Sequence, residues 1–482
     1  MNAEIAAFID DYLSETLAGN AAVFAGAGLS VTAGYVDWRE LIRPLSKEIG
    51  LNIDWENDLV SVAQFHVNSN GQNRHGLHKA VIDAISADNP PTRNHELLAR
   101  LPIQTWWTTN YDKLIEAALR NAGKTVDVKS AVPQLATSRE GRVATVFKMH
   151  GDVDRPDEAV ATRDDFESFQ RDRGAFVTAL AGDLVSKTFL FLGFSFTDPN
   201  LEHVLSQVRL TFAKNQRKHY AVFRRRTQQA GETNEEFEHH RIRQLLVVDD
   251  LRRYNIKVLL VDAYDEITEF LGELVSRYRR RTVLVSGSAA LYEPWGEVAV
   301  LNFCQALGKA LIAAGCRVAT GLGVGVGDAV FTGALREVMR TKDSIADTLI
   351  LRPFPQHAGT DAERDKIWEE YRQELTSHVG IGVFLFGNKI GDDGQIVVAD
   401  GVFREFQIAQ EQGVVCLPIG ATGFAASDLA KKALAAPRGE LSSLDADDLK
   451  VLEKLSHEEK VLDDLVEPLV GLIAKLQGKV LK

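Results

Sequence analysis

Cysteine is scarce in this chain: three residues in 482, Cys304, Cys316 and Cys416, all in the last third and at no metal-ligand spacing. A disulfide scaffold and a cysteine zinc site are thereby excluded, and three reduced, buried thiols are expected. Long apolar runs are missing as well. The richest, Thr188 to Phe196, is about half of what a membrane-spanning helix needs, so it reads as a buried strand. No basic stretch followed by an apolar run opens the sequence, so no secretory leader is expected and the expected location is cytoplasmic. Positive charge is also in deficit. Fifty-five Lys and Arg against 67 Asp and Glu give a formal net charge of −12, which argues against nucleic-acid binding through bulk electrostatics.

What remains is an ordinary globular composition, 45% hydrophobic and 25% charged, in a chain too long for one core. Short apolar runs, each followed by a polar or glycine cluster, alternate with helical periodicity. Strands are predicted at Ala21–Ala25, Gln104–Thr108, Ala144–Lys148, Lys187–Leu192, His219–Phe223 and Ile256–Val261, and the stretch from about Asp37 to Leu101 is predicted mostly helical. The helix Asp265–Arg280 ends in Arg279-Arg280-Arg281, as suits a helix C-terminus. A second alternation then begins: strands at Val283–Val285, Arg317–Thr320, Ile381–Phe386 and Val414–Pro418, with a helix from about Trp295 to Ala313. The pattern predicts an α/β protein with two doubly wound nucleotide-binding domains in series, residues 1–281 and 282–482, each a parallel sheet covered on both faces.

In the first half, four clusters follow four strands: Gly26-Ala27-Gly28-Leu29-Ser30, Thr108-Thr109-Asn110-Tyr111-Asp112, His150-Gly151-Asp152 and Gly193-Phe194-Ser195. Residues just past the carboxyl ends of parallel strands converge on one crevice, where glycines admit a diphosphate close to the backbone. Each cluster also has a purely structural reading. The glycines can be tight packing, Asn110 a helix cap, His150 a hydrogen-bonded core residue and Ser195 a turn. All four in order favour a shared site.

The ordered set GAGLS, TTNYD, HGD and GFS resembles the sirtuin family over roughly residues 1–280. The resemblance implies a Rossmann-type domain in which Gly26, Ala27, Gly28 and Ser30 hold the NAD diphosphate. It further implies that Asn110 and Asp112 lie near the nicotinamide ribose, that His150 is the catalytic base, and that Gly193 and Ser195 approach the nucleotide. Two departures matter. The four zinc-binding cysteines of deacetylating sirtuins are absent, and Gly34-Tyr35-Val36-Asp37-Trp38 stands where a Pro-Asp-Phe-Arg stretch is usual. NAD is therefore expected as substrate rather than cofactor, with no metal and no other cofactor.

The second half offers Ser286-Gly287-Ser288, the loop Gly321–Gly327, Tyr371-Arg372, Gly387-Asn388-Lys389 and Arg404-Glu405-Phe406. Arg and Lys suit phosphate recognition, and a Glu can accept from ribose hydroxyls. This half resembles the SLOG superfamily, sensor relatives of enzymes that release cytokinin bases, but the catalytic Pro-Gly-Gly-x-Gly-Thr loop is missing. Recognition without turnover is implied. With KMHGDV, LVSKTFLFLGFSFTDPNL, RPFPQ, GNK and GATG in order, the whole chain resembles the NAD-destroying effectors of the bacterial Thoeris antiphage system. That likeness implies a TIR-domain partner protein that makes a cyclic ADP-ribose isomer. It places the signal at Arg372, Lys389 and Glu405, with Ser288, Gly323 and Gly325 nearby, and it implies a homotetramer. Three function classes stay open on the sequence: a signal-gated NAD hydrolase, a lysine deacylase or ADP-ribosyltransferase using the same site, and a non-catalytic nucleotide-binding regulator.

Overall fold

A computed structural model describes residues 2–196, 198–355, 360–391, 393–435, 444–457 and 461–478. Thr197 of the FTDPN motif and Gln356 of the RPFPQ motif lie outside the described residues. The chain divides into two units, Met1–Val275 and Ser276–Lys482, with the division inside the helix Asp265–Arg280.

The first unit is built on seven parallel strands: β1 (Ala21–Ala25), β2 (Thr105–Thr108), β3 (Val126–Lys129), β4 (Ala144–Lys148), β5 (Thr188–Leu192), β6 (His219–Arg224) and β7 (Ile256–Val261). Their order across the sheet is β3-β4-β2-β1-β5-β6-β7. Every residue of β1, β2 and β5 is buried, as continuous apolar runs in a sheet covered on both faces must be. On one face the helix Arg163–Ser186 sets Phe169, Phe176, Leu180 and Leu184 against Phe24, Trp107, Phe189 and Phe191. On the other, Phe8 of the helix Ala3–Leu17 meets Tyr220 and Phe270 edge to face. The predicted helical stretch forms the helices Trp38–Glu48, Leu59–Ser69, His75–Ile85 and Arg93–Ala99. The first three share a core that includes Ile42, Val62, Leu77 and Tyr111.

The second unit has a five-stranded parallel sheet: β8 (Thr282–Ser288), β9 (Arg317–Thr320), β10 (Leu349–Leu351), β11 (Ile381–Phe386) and β14 (Val415–Pro418), in the order β10-β9-β8-β11-β14. A small antiparallel ribbon, β12 (Asn388–Ile390) with β13 (Ile396–Val398), follows β11. Cys304, Cys316 and Cys416 are free thiols buried in this unit, and burial pushes the Cys304 thiol up to about 12. Among the described residues no helix is long and apolar enough to cross a membrane.

In both sheets the strand order reverses beside the first strand of the unit, between β1 and β5 and between β8 and β11. Crevices for ligands open at such points, beyond the carboxyl ends of the strands.

Candidate functional site

The register brings the four first-half clusters to one edge of the sheet. Ala25 is paired with Thr108 on one side and Leu192 on the other, and Thr108 is paired with Lys148. Gly26 and Gly193 therefore leave neighbouring strands at the same level. Asn110 and His150 each stand two residues past the Thr108–Lys148 pair on adjacent strands.

The two glycine turns lie directly against each other. The amides of Gly26 and Gly28 donate to the carbonyls of Leu192 and Gly193, both at 2.9 Å. A Cβ on Gly26 would sit 2.4 Å from the Gly193 oxygen, and one on Gly193 (φ +64°) would sit 2.2 Å from the Leu29 nitrogen. Packing alone thus requires these glycines, whatever they hold in addition. Ala27 opens the short helix Ala27–Val31, and Ser195 is exposed on the loop beyond Gly193.

Ser30, Asn110 and Asp112 are joined by hydrogen bonds. Asn110 Nδ2 donates to the Gly26 carbonyl at 3.1 Å and to Ser30 Oγ at 3.0 Å, and Ser30 Oγ donates to Asp112 Oδ2 at 2.8 Å. Both Asn110 contacts use the amide nitrogen, which leaves the carbonyl oxygen to accept from a water or a sugar hydroxyl. Asn110 is not a helix cap. Asp112 also serves the backbone: its other oxygen accepts from the Leu114 amide at 3.0 Å, at the start of the helix Leu114–Asn121.

Beneath this turn lies Lys148, wholly buried. Its ammonium donates to the carbonyls of Tyr111 at 3.0 Å and Asp112 at 2.6 Å, and pairs with Glu116 at 3.1 Å and Asp152 at 2.6 Å. Burial works to strip its proton, but the two carboxylates outweigh burial and hold Lys148 above its ordinary value. One side chain therefore ties the Asn110 turn to the His150 turn. Nε2 of His150 stands 3.1 Å from Asp198 Oδ2, and the ring edges meet Phe166 and Phe169. Neither Lys148 nor Asp198 is singled out by sequence. Lys148 reads as the end of a strand, and Asp198 as the N-cap that it also is, for the helix Pro199–Phe212.

Between them these groups offer a hydroxyl-orienting amide, an imidazole and a carboxylate at one strand edge, with no thiol nucleophile. Among the described residues no His, Cys, Asp and Glu side chains gather to hold a metal. The departure at Gly34–Trp38 is locally satisfied, with Asp37 capping the helix Trp38–Glu48 through the Glu40 amide at 2.9 Å.

The second unit repeats the glycine contact and changes the side chains. A Cβ on Gly323 would lie 2.1 Å from the Gly287 oxygen, and one on Gly325 would lie 2.3 Å from that of Ala289. Ser288 Oγ donates to the Asn388 carbonyl at 2.9 Å, and Asn388 Oδ1 accepts from the amides of Ala290 and Leu291, both at 2.8 Å. Glu405 accepts from Ser286 Oγ at 2.6 Å. Arg372 Nε stands 3.6 Å from Glu405, too far for a hydrogen bond, and is buried with no aligned partner. The guanidinium lies over the rings of Phe354 and Trp368, at 5.1 and 5.6 Å. Burial pushes the Glu405 carboxyl up, against the opposing pull of Ser286 and Arg372. Arg372 and Glu405 are thus brought together, with Ser286 and the aromatic pair as partners the sequence does not announce. The Lys389 ammonium instead pairs with Asp400.

Comparison with known proteins agrees with this division. The model of the Sir2- and TIR-associating SLOG family matches residues 266–476, and that of the SIR2-like domain matches residues 104–245. The NAD(+) hydrolase ThsA of Acinetobacter baumannii is 47% identical over 428 residues, 87% of this chain and 88% of that one. The protein of the same name from Bacillus cereus is 43% identical over 479 residues, 99% of this chain and 100% of its own. That from Enterococcus faecium is 40% identical over 472 residues, 95% and 96% of the two chains.

Proposed function

This chain belongs to the ThsA family of NAD(+) hydrolases, and from that premise we propose that it cleaves NAD at the strand-end crevice of the first unit, under control of a nucleotide bound in the second. Nicotinamide leaves NAD from a pyridinium, so no acid has to protonate it. The site has to place a water and to stabilise an oxocarbenium-like ribose. Asn110 accepts a hydrogen bond from that water through Oδ1, and His150 takes its proton. The water oxygen bonds to the anomeric carbon while the C–N electron pair departs with nicotinamide. Asp112 supports the developing positive charge. The products are nicotinamide, ADP-ribose and a proton.

The observation that carries this reading is the chain Asn110–Ser30–Asp112, set beside His150 by the Thr108–Lys148 register. The test is nicotinamide release from NAD by the purified protein. Asn110→Ala and His150→Ala are each expected to lower it by about 100-fold or more. Full cleavage by either variant overturns the assignment, and turnover that requires an acyl peptide favours the deacylase reading.

The controlling nucleotide is a cyclic ADP-ribose isomer, made by a TIR-domain partner protein in antiphage defence, and the working assembly is a homotetramer. Two features support the signal. One is the match to the Sir2- and TIR-associating SLOG family. The other is the open donor of Arg372, a guanidinium held by aromatic rings beside a carboxyl that can accept ribose hydroxyls. A signal that switches the enzyme almost completely must prefer the active arrangement by about 5.5 kcal/mol.

A further inference from the structure

We propose that Asp198 is a positioning residue of the NAD-cleaving site: its carboxylate holds His150 with the proton on Nε2, leaving Nδ1 to receive the proton of the attacking water. The inference rests on the reading of His150 as the base. Asp198 lies on the loop between β5 and the helix Pro199–Phe212, and its two oxygens do separate work. Oδ1 accepts from the amides of Asn200 at 2.8 Å and Leu201 at 3.3 Å, which caps the helix. For that task Asn or Ser serves as well as Asp.

Oδ2 is what capping does not use, and it faces His150 Nε2 at 3.1 Å, with the two side chains only 9% and 8% exposed. The contact is an ion-pair approach rather than an aligned hydrogen bond, and Nε2 has no hydrogen-bond partner among the described residues. A buried carboxylate is costly unless it is paired and hydrogen-bonded. Burial works to raise Asp198, but the nearby imidazole of His150, with the two capping amides, outweighs burial and holds the carboxyl below the usual carboxylate range.

The other charged or titratable groups around the ring are engaged elsewhere. Lys148 is bound to Glu116 and Asp152, and Asp112 is bound to Ser30. Arg173, from the helix Arg163–Ser186, donates to the carbonyls of Ser130 at 2.8 Å and Glu158 at 2.7 Å. The Tyr111 hydroxyl donates to the Val160 carbonyl at 2.7 Å. Phe166 and Phe169 supply uncharged walls. A carboxylate on one imidazole nitrogen fixes the tautomer, orients the ring and makes the other nitrogen more basic.

Asp198→Asn keeps a capping oxygen and the side-chain volume while removing the charge. In the full chain, kcat for nicotinamide release is expected to fall by about 100-fold, with little change in KM. The acid limb of kcat/KM is expected to move to lower pH by about one unit, because the imidazolium loses its anionic neighbour. Carbethoxylation of His150 by diethyl pyrocarbonate, followed by mass spectrometry across pH, reads the same shift without any catalysis. An unchanged kcat, or an acid limb and modification midpoint that stay in place, overturns the proposal. A purely structural role would lower the unfolding midpoint without moving either pH curve. Asp198→Ser, also able to cap, serves if the Asn variant does not fold. His150→Ala assayed in parallel separates the two ideas: full activity there removes the base, while the modification curve still reports on the pair.

Discussion

Both units place glycine turns against each other where neighbouring strands end, β1 beside β5 in the first and β8 beside β9 in the second, yet they equip those ends for different work. In the first, Gly26 and Gly28 abut Gly193; in the second, Gly323 and Gly325 abut Gly287 and Ala289. Around the first contact Lys148 pairs with both Glu116 and Asp152 and holds two carbonyls of the Asn110 turn, although Glu116 Oε2 is itself buried without a hydrogen-bond partner. Around the second, the Arg372–Glu405 pair is loose at 3.6 Å, and the guanidinium keeps a buried donor with no aligned acceptor. A preorganised network suits bond breaking, where groups must not rearrange during reaction. An unfilled donor between aromatic rings suits a ligand that completes it. The scaffold is shared, and the function follows from the loop residues placed on it.

The comparison is broken most directly by deleting the cation on each side. Lys148→Met leaves two buried carboxylates without a counter-charge and is expected to cost about 3–5 kcal/mol. Arg372→Met removes a looser contact, 3.6 Å from a single carboxyl that burial already pushes up, so a smaller loss is expected there. Hydrogen exchange on peptides from β4 and β11 reads the two units separately within the intact chain. Equal losses at the two sites would erase the contrast between a tied and an open cluster.

Much of this was readable along the chain because the cues are local. Apolar runs ending in glycine or polar clusters mark strand ends, and the observed bounds of the strands read from sequence differ by only a residue or two from those expected, except at β8, which runs from Thr282 to Ser288. The edge strand β3, Val126–Lys129, escaped because Asp127 and Lys129 break its apolar pattern; they pair with each other at 2.8 Å. The ribbon β12–β13 and the three-residue β10 are too short to carry a periodicity. The gathering of Asn110 with Ser30 was foreseeable only as a convergence of strand ends, and the hydrogen-bond chain itself needed coordinates. Lys148, Asp198, Ser286 and the Phe354–Trp368 pair were not legible. What distinguishes each is a neighbour from another part of the chain, such as Asp198 against His150 or Glu405 against Ser286, and spacing along one strand carries no trace of it.

Smaller in size, but closer to function, is the response to signal. If the open donor of Arg372 is completed by a phosphate, Arg372→Ala removes charge-assisted hydrogen bonds of about 1.5–3 kcal/mol. The cyclic ADP-ribose isomer concentration for half-maximal nicotinamide release is then expected to rise by roughly 10–150-fold. Lys389 is half exposed and already paired with Asp400, so Lys389→Ala is expected to raise it by only about fivefold or less. This ordering sharpens the comparison, because it ranks a buried donor without a hydrogen-bond partner above an exposed cation closely paired with a carboxylate. A larger effect at Lys389 would move the signal's charge away from the aromatic pair and toward the ribbon.

The smallest expected effect is a pH dependence confined to the second unit. Burial raises the Glu405 carboxyl above its ordinary 4.5, although Ser286 and Arg372 pull the other way. A carboxyl more easily protonated when folded than when unfolded stabilises the fold fully below the unfolded value. That contribution fades as pH climbs from there through the raised folded value. The second unit should therefore lose stability on passing from acid toward neutral pH, and Glu405→Gln should flatten that decline. In the first unit Asp198 has the opposite sign: its depressed carboxyl stabilises above the unfolded value and fails as pH falls. Protection of β11 that declines as pH rises from about 4 toward 7, and protection of β5 that declines as pH falls below about 4, are the expected signature. A common slope in both sheets would mean that Glu405 is held as an anion by Arg372 after all, and that the pair is closed before any ligand arrives.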